Sequence, residues 1–437
     1  MTKKDIYDVF GIGFGPAGIA LAAAIEDEEE FENTKWKKKF IDKQVDSTWM
    51  PQMLLPGTDI QHHYLRDFAT PRNPRSKYTF PNYLQKKGRL FSFGLLNHPS
   101  RIEWSDYVKW VANQLSHDAS YKTEALEVEI EETDRTKETL KIIAFNHDSN
   151  NEESYYTHNL VINSGRKPFI PSIFQPFLND DIFHSSKFNT NISKILPRDE
   201  EHTFTVVGSG QNAIETILYI SNKYPRAKIN MVLRHTGFRL YDLGHFTNEV
   251  FFPEFTDYFV NLTKEKRANL FEQIKHTNYS AVDEDVSKEL YWKMYEQEVE
   301  NKNQIRLYRC SEVININNGD DGKYELSLQD IYSKDYSTIE TDHLILCTGF
   351  VEEKIPSVLA PIKDYLVLDD NGELIVSKDY KVKTVNDFNI GIYLNGLTEK
   401  THGIGDSASF TMMATKAQRI LEKMNSSKAK NVVEVNN

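Results

Sequence analysis

Two glycine-rich loops of the same type constrain this chain more than any other feature of its sequence. The loops are Gly13-Phe14-Gly15-Pro16-Ala17-Gly18 and Gly208-Ser209-Gly210-Gln211-Asn212-Ala213. Each loop follows a short apolar run that predicts a strand and precedes an apolar stretch that predicts a helix. Glycines at such a turn let the backbone approach a pyrophosphate, which the N-terminus of the helix stabilises. The pair therefore predicts two dinucleotide sites in one chain, an arrangement in which a nicotinamide can reduce a flavin.

The first unit has the length of a βαβ dinucleotide-binding motif and ends, like that motif, in an acidic residue. We predict a strand over residues 6–11, a helix over residues 15–26 and a second strand over residues 39–42. Asp42 closes the second strand, where an acid can accept hydrogen bonds from an adenosine ribose. Gly13 allows the tight turn, Gly15 allows the phosphate to approach, and Gly18 allows the helix to pack closely on the strand. A glycine-rich turn without a ligand is the alternative.

The second unit differs in the residue that follows its second strand. A strand over residues 203–207, a helix over residues 211–222 and a strand over residues 228–233 lead to Arg234 rather than to an acid. A cation at this point suits the 2′-phosphate of NADPH. We therefore assign FAD to the first loop and NADPH to the second. The alternative is that Arg234 is only a solvated surface cation.

Length and composition restrict the class of protein. A chain of 437 residues has room for two or three domains, and a net charge of −12 argues against nucleic-acid binding. The two cysteines, Cys310 and Cys347, form no CxxC pair, which argues against a disulfide framework and against a flavin disulfide reductase. We find no metal-ligand spacing. Because the sequence shows no apolar leader and no stretch near the roughly 18 apolar residues of a membrane span, we expect a cytoplasmic protein without membrane contact.

Seven further segments carry a more specific pattern. They are residues 49–57 (WMPQMLLPG), 60–67 (IQHHYLRD), 71–90 (from PRNPRS to KGRL), 103–110 (EWSDYVKW), 246–251 (FTNEVF), 277–280 (TNYS) and 401–407 (THGIGDS). Together they resemble the N-hydroxylating flavin monooxygenases of siderophore biosynthesis, which act on ornithine, lysine, diamines or histamine. The resemblance extends from roughly residue 6 to residue 422.

The resemblance implies FAD, NADPH and O₂ as the reactants beside a small primary amine. In this family NADPH reduces the flavin, the reduced flavin reacts with O₂, and the resulting hydroperoxyflavin delivers one oxygen atom to the uncharged amine. The hydroxylamine product is then built into an iron chelator. The resemblance also implies a homo-oligomer, either a dimer or a tetramer.

The resemblance also implies roles for single residues. Gln61 is expected beside the flavin, and Asn278 is expected to touch both the substrate and NADP⁺, so these two are the predicted catalytic residues. Asn248 is expected to hold the amine, and Gln211 to approach the nicotinamide. The other predicted cofactor-binding residues are Gly13, Gly15, Pro16, Ala17, Gly18, Asp42, Trp49, Gln52, Gly208, Ser209, Gly210, Arg234 and Asp406.

Two residues depart from the ornithine hydroxylase pattern at the end of the pocket that holds the substrate carboxylate. Arg66 replaces a lysine there, and it could pair with that carboxylate, with NADP⁺ or with a neighbouring acid. Phe410 replaces a serine, which would remove a polar partner of the carboxylate. We therefore predict a decarboxylated substrate: histamine, putrescine or cadaverine. The alternatives are L-ornithine ahead of L-lysine and, outside the family, another class B flavin monooxygenase or a flavin-binding sensor.

These observations predict an α/β fold with two doubly wound Rossmann-like dinucleotide-binding domains and a mostly helical substrate-binding insertion. The FAD-binding domain takes residues 1–195 and 350–437, and the NADPH-binding domain takes residues 200–235 and 305–349. Residues 236–304 form the insertion. With part of residues 45–110, the insertion should frame the amine site at the domain junction.

Overall fold

The computed structural model describes residues 5–32, 35–96, 98–133, 137–195, 200–319, 322–385, 390–406 and 409–435. Its strands are β1 (Ile6–Tyr7), β2 (Val9–Ile12), β3 (Lys38–Ile41), β4 (Ala119–Ser120), β5 (Thr123–Thr133), β6 (Lys137–Asn146), β7 (Asn151–Thr157), β8 (Asn159–Ile162), β9 (Lys167–Pro168), β10 (Ile182–His184), β11 (Thr203–Val207), β12 (Lys228–Val232), β13 (Ile305–Tyr308), β14 (Ser311–Asn318), β15 (Tyr324–Asp330), β16 (Tyr336–Thr341), β17 (His343–Leu346), β18 (Phe350–Val351) and β19 (Gly391–Leu394).

The α-helices of the described residues are α1 (Pro16–Glu32), α2 (Phe80–Lys86), α3 (Leu90–Phe93), α4 (Arg101–Gln114), α5 (Phe188–Ile192), α6 (Gln211–Lys223), α7 (Pro253–Val260), α8 (Lys264–Ile274), α9 (Glu284–Val299), α10 (Glu399–His402) and α11 (Phe410–Val435). Short 3₁₀ turns at Pro51–Met53, Thr247–Phe251 and Lys275–Thr277 contribute residues to the candidate site. No helix in the described part of the chain is long and apolar enough to cross a membrane.

The first glycine loop follows the middle strand of a five-stranded parallel sheet. The strand order is β19-β8-β2-β3-β4, and β2 pairs in parallel with both β3 and β8. All residues of β2 and β19 are buried, as expected for parallel strands that are covered on both faces. Helix α1 begins at Pro16, directly after the loop. The predicted strand, loop and helix are thus present in the predicted order.

Two different layers cover this first sheet. On one face, Ile19 and Leu21 of α1 share a core with Ile420 of α11 and Trp104 of α4. On the other face, Phe10 of β2 packs with residues of the antiparallel strands β5, β6 and β7. The second covering layer is therefore a sheet rather than helices, which the sequence did not predict.

The second glycine loop lies in a domain of the same design. Its parallel sheet has the order β10-β17-β11-β12-β13, and the loop joins β11 to α6. Ile214 and Ile217 of α6 share a core with Phe188 of α5 and Leu290 of α9. The antiparallel strands β14, β15 and β16 cover the other face. The prediction of two Rossmann-like domains is confirmed.

One predicted domain boundary needs to move. Strand β10 pairs in parallel with β17, so residues 182–184 belong to the second sheet, whereas the sequence predicts residues up to 195 in the first domain. This pairing joins segments far apart in the chain, and no local pattern reveals it. The two segments that cross between the domains lie side by side, because β9 pairs with β18 in antiparallel register, Pro168 opposite Phe350. We propose to draw the boundary at this pair.

The segment between β12 and β13 is helical. It contains α7, α8, α9 and two 3₁₀ turns, and no strand is formed between residues 233 and 304, all of which are described. A single bridge joins Leu240 to Val282. This helical segment carries Asn248 and Asn278 to the junction of the two sheets.

Candidate functional site

Two neighbouring cavities lie at the junction of the two domains. The larger has a volume of about 650 Å³ and the smaller about 420 Å³. Trp49, Met50, Asn212 and Phe350 line both cavities, so the two spaces adjoin. Both lie at the carboxyl ends of parallel strands, where open α/β sheets bind their ligands.

The first glycine loop opens onto the smaller cavity. Gly15, Pro16, Asp42, Trp49 and Gln52 line it, as predicted for one nucleotide site. A Cβ atom at Gly15 would meet no atom within 4 Å, so the backbone is open to a ligand at this point. The predicted residues Gly13, Ala17 and Gly18 line neither cavity.

Gly13 and Gly18 instead shape the turn. Gly13 has a φ of +98°, which favours glycine, and a Cβ at Gly18 would lie 2.4 Å from the Gly13 carbonyl oxygen. Asp42 also holds the loop, since its carboxylate accepts hydrogen bonds from the backbone N–H of Phe14 at 2.7 Å and of Gln44 at 2.8 Å. Each carboxylate oxygen can accept further hydrogen bonds, so Asp42 can still bind a ribose.

The second glycine loop opens onto the larger cavity. Gly208, Ser209, Gly210 and Gln211 line it together with Arg234. A Cβ at Gly208 would lie 2.3 Å from the Cys347 carbonyl oxygen, whereas a Cβ at Gly210 would meet nothing within 4 Å. Gly208 is therefore needed for packing, and Gly210 leaves room for a ligand.

Gln61 and Gln211 both lie in the larger cavity and are joined through Asp283. Gln61 Nε2 donates to Asp283 Oδ2 at 2.9 Å, and the Asp283 backbone N–H donates to Gln211 Oε1 at 2.9 Å. The Tyr241 hydroxyl donates to Gln61 Oε1 at 3.2 Å. Burial raises the pKa of Asp283, and the hydrogen bond from Gln61 opposes this rise. Both glutamine amides are thus held by protein atoms on the cavity wall.

The four predicted substrate residues come together in the same cavity. Arg66, Asn248, Asn278 and Phe410 all line it, although they are far apart in the sequence. Asn248 Nδ2 donates to the backbone oxygens of Asp242 and Gly244, at 2.9 and 3.1 Å. Because both partners are carbonyl oxygens, the atom of the Asn248 side chain that remains for a ligand is the acceptor Oδ1.

Arg66 is a half-buried cation without an acidic partner among the described residues. Its Nη1 donates to the Thr411 hydroxyl at 3.2 Å, and its guanidinium lies 5.9 Å from the centre of the Phe251 ring. Burial lowers the pKa of Arg66. A partly desolvated guanidinium that faces a cavity and lacks a carboxylate is suited to bind an anionic ligand group.

Phe410 lines the larger cavity and also packs into an aromatic core. Its side chain is only 4% exposed and packs against the aromatic rings of Trp49, Trp104 and Phe68, at 5.7, 5.1 and 5.5 Å. The flanking hydroxyls take the polar position, because Ser409 Oγ donates at 2.8 Å to the same Thr411 hydroxyl that Arg66 contacts. The region around Arg66 therefore keeps polar partners.

Asp406 does not lie where the sequence predicted. It lines neither cavity, and its buried carboxylate is 2.9 Å from Lys416 Nζ and accepts from the Tyr380 hydroxyl at 2.8 Å. Burial alone would raise the pKa of Asp406, but Lys416 and neighbouring hydrogen bonds hold it below the usual range. Its side chain lies in the core under α11 and reaches neither cavity.

Sequence reasoning missed a buried polar cluster at the edge of the larger cavity. Arg166 Nη1 donates to the Tyr279 hydroxyl at 2.7 Å, and that hydroxyl donates to the Glu399 carboxylate. Burial raises the pKa of Glu399 to about 7, although Arg166 opposes the shift. Tyr279 lies in segment 277–280 of the family pattern and Arg166 follows a buried strand, so the sequence contained a feature that could have pointed to each of these two residues. It contained none for Glu399.

The cysteines show no redox pair. Cys310 and Cys347 are both free, and burial raises the pKa of the Cys347 thiol to about 12. A thiol of this kind is not a nucleophile at neutral pH. Within the described ranges, no group of three or more His, Cys, Asp or Glu residues could hold a metal ion.

Several known proteins resemble this chain in both sequence and structure. The family model for L-lysine 6-monooxygenase/L-ornithine 5-monooxygenase matches residues 5–352. The L-ornithine N(5)-monooxygenase of Arthroderma benhamiae is 33% identical over 97% of this chain and 89% of its own. The solved ornithine hydroxylase of Pseudomonas aeruginosa has a TM-score of 0.90, with 29% identity over 97% of this chain and 100% of its own. The L-lysine 6-monooxygenase of Pseudomonas syringae has a TM-score of 0.86, with 36% identity over 96% of this chain and 99% of its own. The chain belongs to the L-lysine 6-monooxygenase/L-ornithine 5-monooxygenase family.

Proposed function

We propose that this protein hydroxylates the side-chain amine of a small α-amino acid, L-ornithine in preference to L-lysine, using FAD, NADPH and O₂. One oxygen atom of O₂ enters the amine to give a hydroxylamine, the other leaves as water, and NADPH supplies the two electrons. The observation that carries the choice of substrate is Arg66, a cavity-lining guanidinium with no acidic partner among the described residues. It suits the α-carboxylate of an amino acid.

This proposal replaces the decarboxylated amine that the sequence favoured. That prediction depended on Arg66 and on the loss of a serine hydroxyl at Phe410, but Arg66 can itself pair with a carboxylate, and Ser409 and Thr411 place hydroxyls near it. The names of the relatives from Arthroderma benhamiae, Pseudomonas aeruginosa and Pseudomonas syringae also support the amino-acid alternative, because they specify ornithine or lysine. Both lines of support favour a substrate that keeps its carboxylate.

The residues present fit the two nucleotides. The open space at Gly15 and Gly210 is what a pyrophosphate needs when it approaches the backbone. Asp42 would bind the ribose of FAD, and Arg234 would bind the 2′-phosphate of NADPH at the mouth of the larger cavity. When bound and reduced, the flavin supplies the activation of O₂.

The protein's own residues would keep the amine uncharged and dry. A cavity that removes water disfavours the ammonium form, and the positive charge of Arg66 acts in the same direction. Asn248 Oδ1 would accept a hydrogen bond from the neutral amine and so orient its lone pair. The rings of Trp49, Phe251 and Phe410 would form an apolar part of the cavity wall and would exclude water from the reacting atoms.

A substrate panel tests this proposal. Purified protein loaded with FAD is given NADPH and one of L-ornithine, L-lysine, putrescine, cadaverine or histamine, and both NADPH oxidation and hydroxylamine yield are measured. We expect the highest kcat/KM and the tightest coupling of the two rates with L-ornithine. Faster coupled turnover of a diamine or histamine would contradict the amino-acid assignment. Flavin binding without NADPH oxidation would favour a flavin-binding sensor.

By the same family resemblance, we propose that the hydroxylamine serves siderophore biosynthesis. The cytoplasmic location and the dimer or tetramer stay predictions, since they rest on composition and on the resemblance.

A further inference from the structure

Six residues form one continuous hydrogen-bonded network across the domain junction. They are Gln61, Arg101, Gln211, Glu215, Tyr241 and Asp283. Gln61 and Arg101 belong to the first domain, Gln211 and Glu215 to α6 of the second, and Tyr241 and Asp283 to the helical insertion. The network therefore connects all three parts of the molecule at the larger cavity.

Glu215 lies at the centre of this network. Its Oε1 and Oε2 accept from Arg101 Nη2 at 2.7 Å and Nη1 at 2.8 Å, and its Oε1 also accepts from Gln211 Nε2 at 3.1 Å. The Arg101 and Glu215 side chains are only 6% and 2% exposed. Such a buried ion pair is weak evidence for stability, because desolvation of the two charges offsets their attraction. Its two-pronged geometry does, however, fix the relative placement of α4 and α6.

The network also fixes two amides that face the cavity. Gln211 uses Nε2 toward Glu215 and Oε1 toward the Asp283 backbone N–H, so its amide cannot rotate without breaking both contacts. The Asp283 carboxylate in turn holds Gln61 Nε2. The orientations of Gln61, from one domain, and Gln211, from the other, are thus both tied to Glu215.

We propose that Glu215 is a positioning residue that sets the distance and angle between the two bound nucleotides, an inference that rests on the proposed function. The two glycine loops lie in different domains, so contacts between the domains decide how the nicotinamide meets the flavin. Hydride transfer requires reacting atoms about 3–3.5 Å apart, and a misplacement of about 1 Å can cost two orders of magnitude in rate. The Arg101–Glu215 pair supplies a rigid, direct link between the domains at this site.

The test measures hydride transfer separately from NADPH binding. FAD-loaded wild-type protein and Glu215→Gln are reduced by NADPH without oxygen in a stopped-flow instrument, which yields a limiting reduction rate and a dissociation constant. We expect the limiting rate to fall at least about tenfold while the dissociation constant changes less than about threefold. The deuterium isotope effect with labelled NADPH should persist, because hydride transfer still limits the slower rate.

Two further variants separate positioning from general stability. The double variant Arg101→Met/Glu215→Leu replaces the buried ion pair by apolar side chains, which often preserves stability. We expect it to fold and to retain FAD but to reduce its flavin as slowly as Glu215→Gln. Arg226→Gln breaks an exposed ion pair with Glu201 in the same domain and should leave both constants unchanged.

Hydrogen exchange of the Asp283 backbone N–H gives a readout that does not depend on turnover. In FAD-loaded protein without NADPH, we expect faster exchange at this amide in Glu215→Gln than in wild type. The proposal is overturned if the variants lose thermal stability or FAD but keep the wild-type reduction rate per bound FAD. Unchanged exchange at Asp283 would also overturn it. If wild-type flavin is not reduced by NADPH at all, the proposed function fails instead.

Discussion

At the scale of single residues, Arg66 is the side chain that we propose binds the carboxylate of the substrate. We expect Arg66→Gln to raise the KM for L-ornithine by about tenfold to a hundredfold, because a hydrogen bond to a charged group contributes about 1.5–3 kcal/mol. The limiting rate of flavin reduction by NADPH should stay unchanged. Steady-state kinetics of hydroxylamine formation provide the measurement.

The control for this variant is Arg75→Gln, an exposed arginine that lines neither cavity. It should leave the KM for L-ornithine as in wild type. If Arg66→Gln changed the KM for putrescine and for L-ornithine by the same factor, Arg66 would not read the carboxylate.

Glu399 gives a prediction about pH. Its pKa is raised from an ordinary 4.5 to about 7, mainly by burial, so the folded protein holds a proton there that the unfolded chain has released. The free energy of unfolding should therefore fall as the pH rises from about 4.5 to about 7, by on the order of 3 kcal/mol. Glu399→Gln should remove this fall, whereas Glu300→Gln, at an exposed position, should keep it. Denaturant unfolding at pH 5 and pH 8 measures the difference; parallel losses in wild type and Glu399→Gln would refute the assignment.

Several predicted site residues come together in the structure, and the sequence pointed to them because they lie in local motifs. Gln61, Asn248, Asn278 and Arg66 were found in this way, and all reach one cavity. The sequence could not predict how the side chains of Phe410 and Asp406 pack. Their roles depend on which way a side chain faces, toward an aromatic core or toward Lys416, and counting along the chain does not determine that direction.

At the scale of elements, we expect two glycines of the second loop to have different roles: Gly208 is needed for folding and Gly210 for binding. Gly208 has a φ of +143°, and a Cβ there would lie 2.3 Å from a backbone oxygen, so Gly208→Ala should lower stability by about 1–3 kcal/mol. Gly210 has open space, so Gly210→Ala should leave the melting temperature unchanged but weaken NADPH binding, because the added methyl group fills the phosphate site. Thermal unfolding and NADPH titration of the FAD-loaded protein measure the two effects. Equal melting temperatures for the two variants would contradict the packing role of Gly208.

The two βαβ units could be predicted because their strands, loops and helices are contiguous in the sequence. The antiparallel layers β5–β7 and β14–β16 could not, since their half-exposed strands show only weak apolar runs. The assignment of β10 to the second sheet depends on its pairing with β17, in which Ile182 lies opposite Leu344, more than 150 residues further along the chain. Long-range pairing of this kind leaves no local signature.

At the scale of the whole molecule, two domains of the same three-layer design enclose adjoining cavities. The glycine loops made two nucleotide sites in one chain predictable, but not that Trp49, Met50, Asn212 and Phe350 would line both cavities. The link through Arg101 and Glu215 was equally hidden, because each residue lies on an ordinary helix of its own domain. The proposed chemistry depends on this relative placement of the two domains.

The most direct test of that chemistry follows the oxygen atom. FAD-loaded protein is incubated with NADPH, L-ornithine and isotopically heavy O₂, and the product is analysed by mass spectrometry. We expect a hydroxylamine that carries one heavy oxygen atom on the side-chain nitrogen, formed in proportion to the NADPH consumed. Consumption of NADPH that yields only hydrogen peroxide with L-ornithine and with every other amine of the panel would contradict the assignment as an N-hydroxylating monooxygenase.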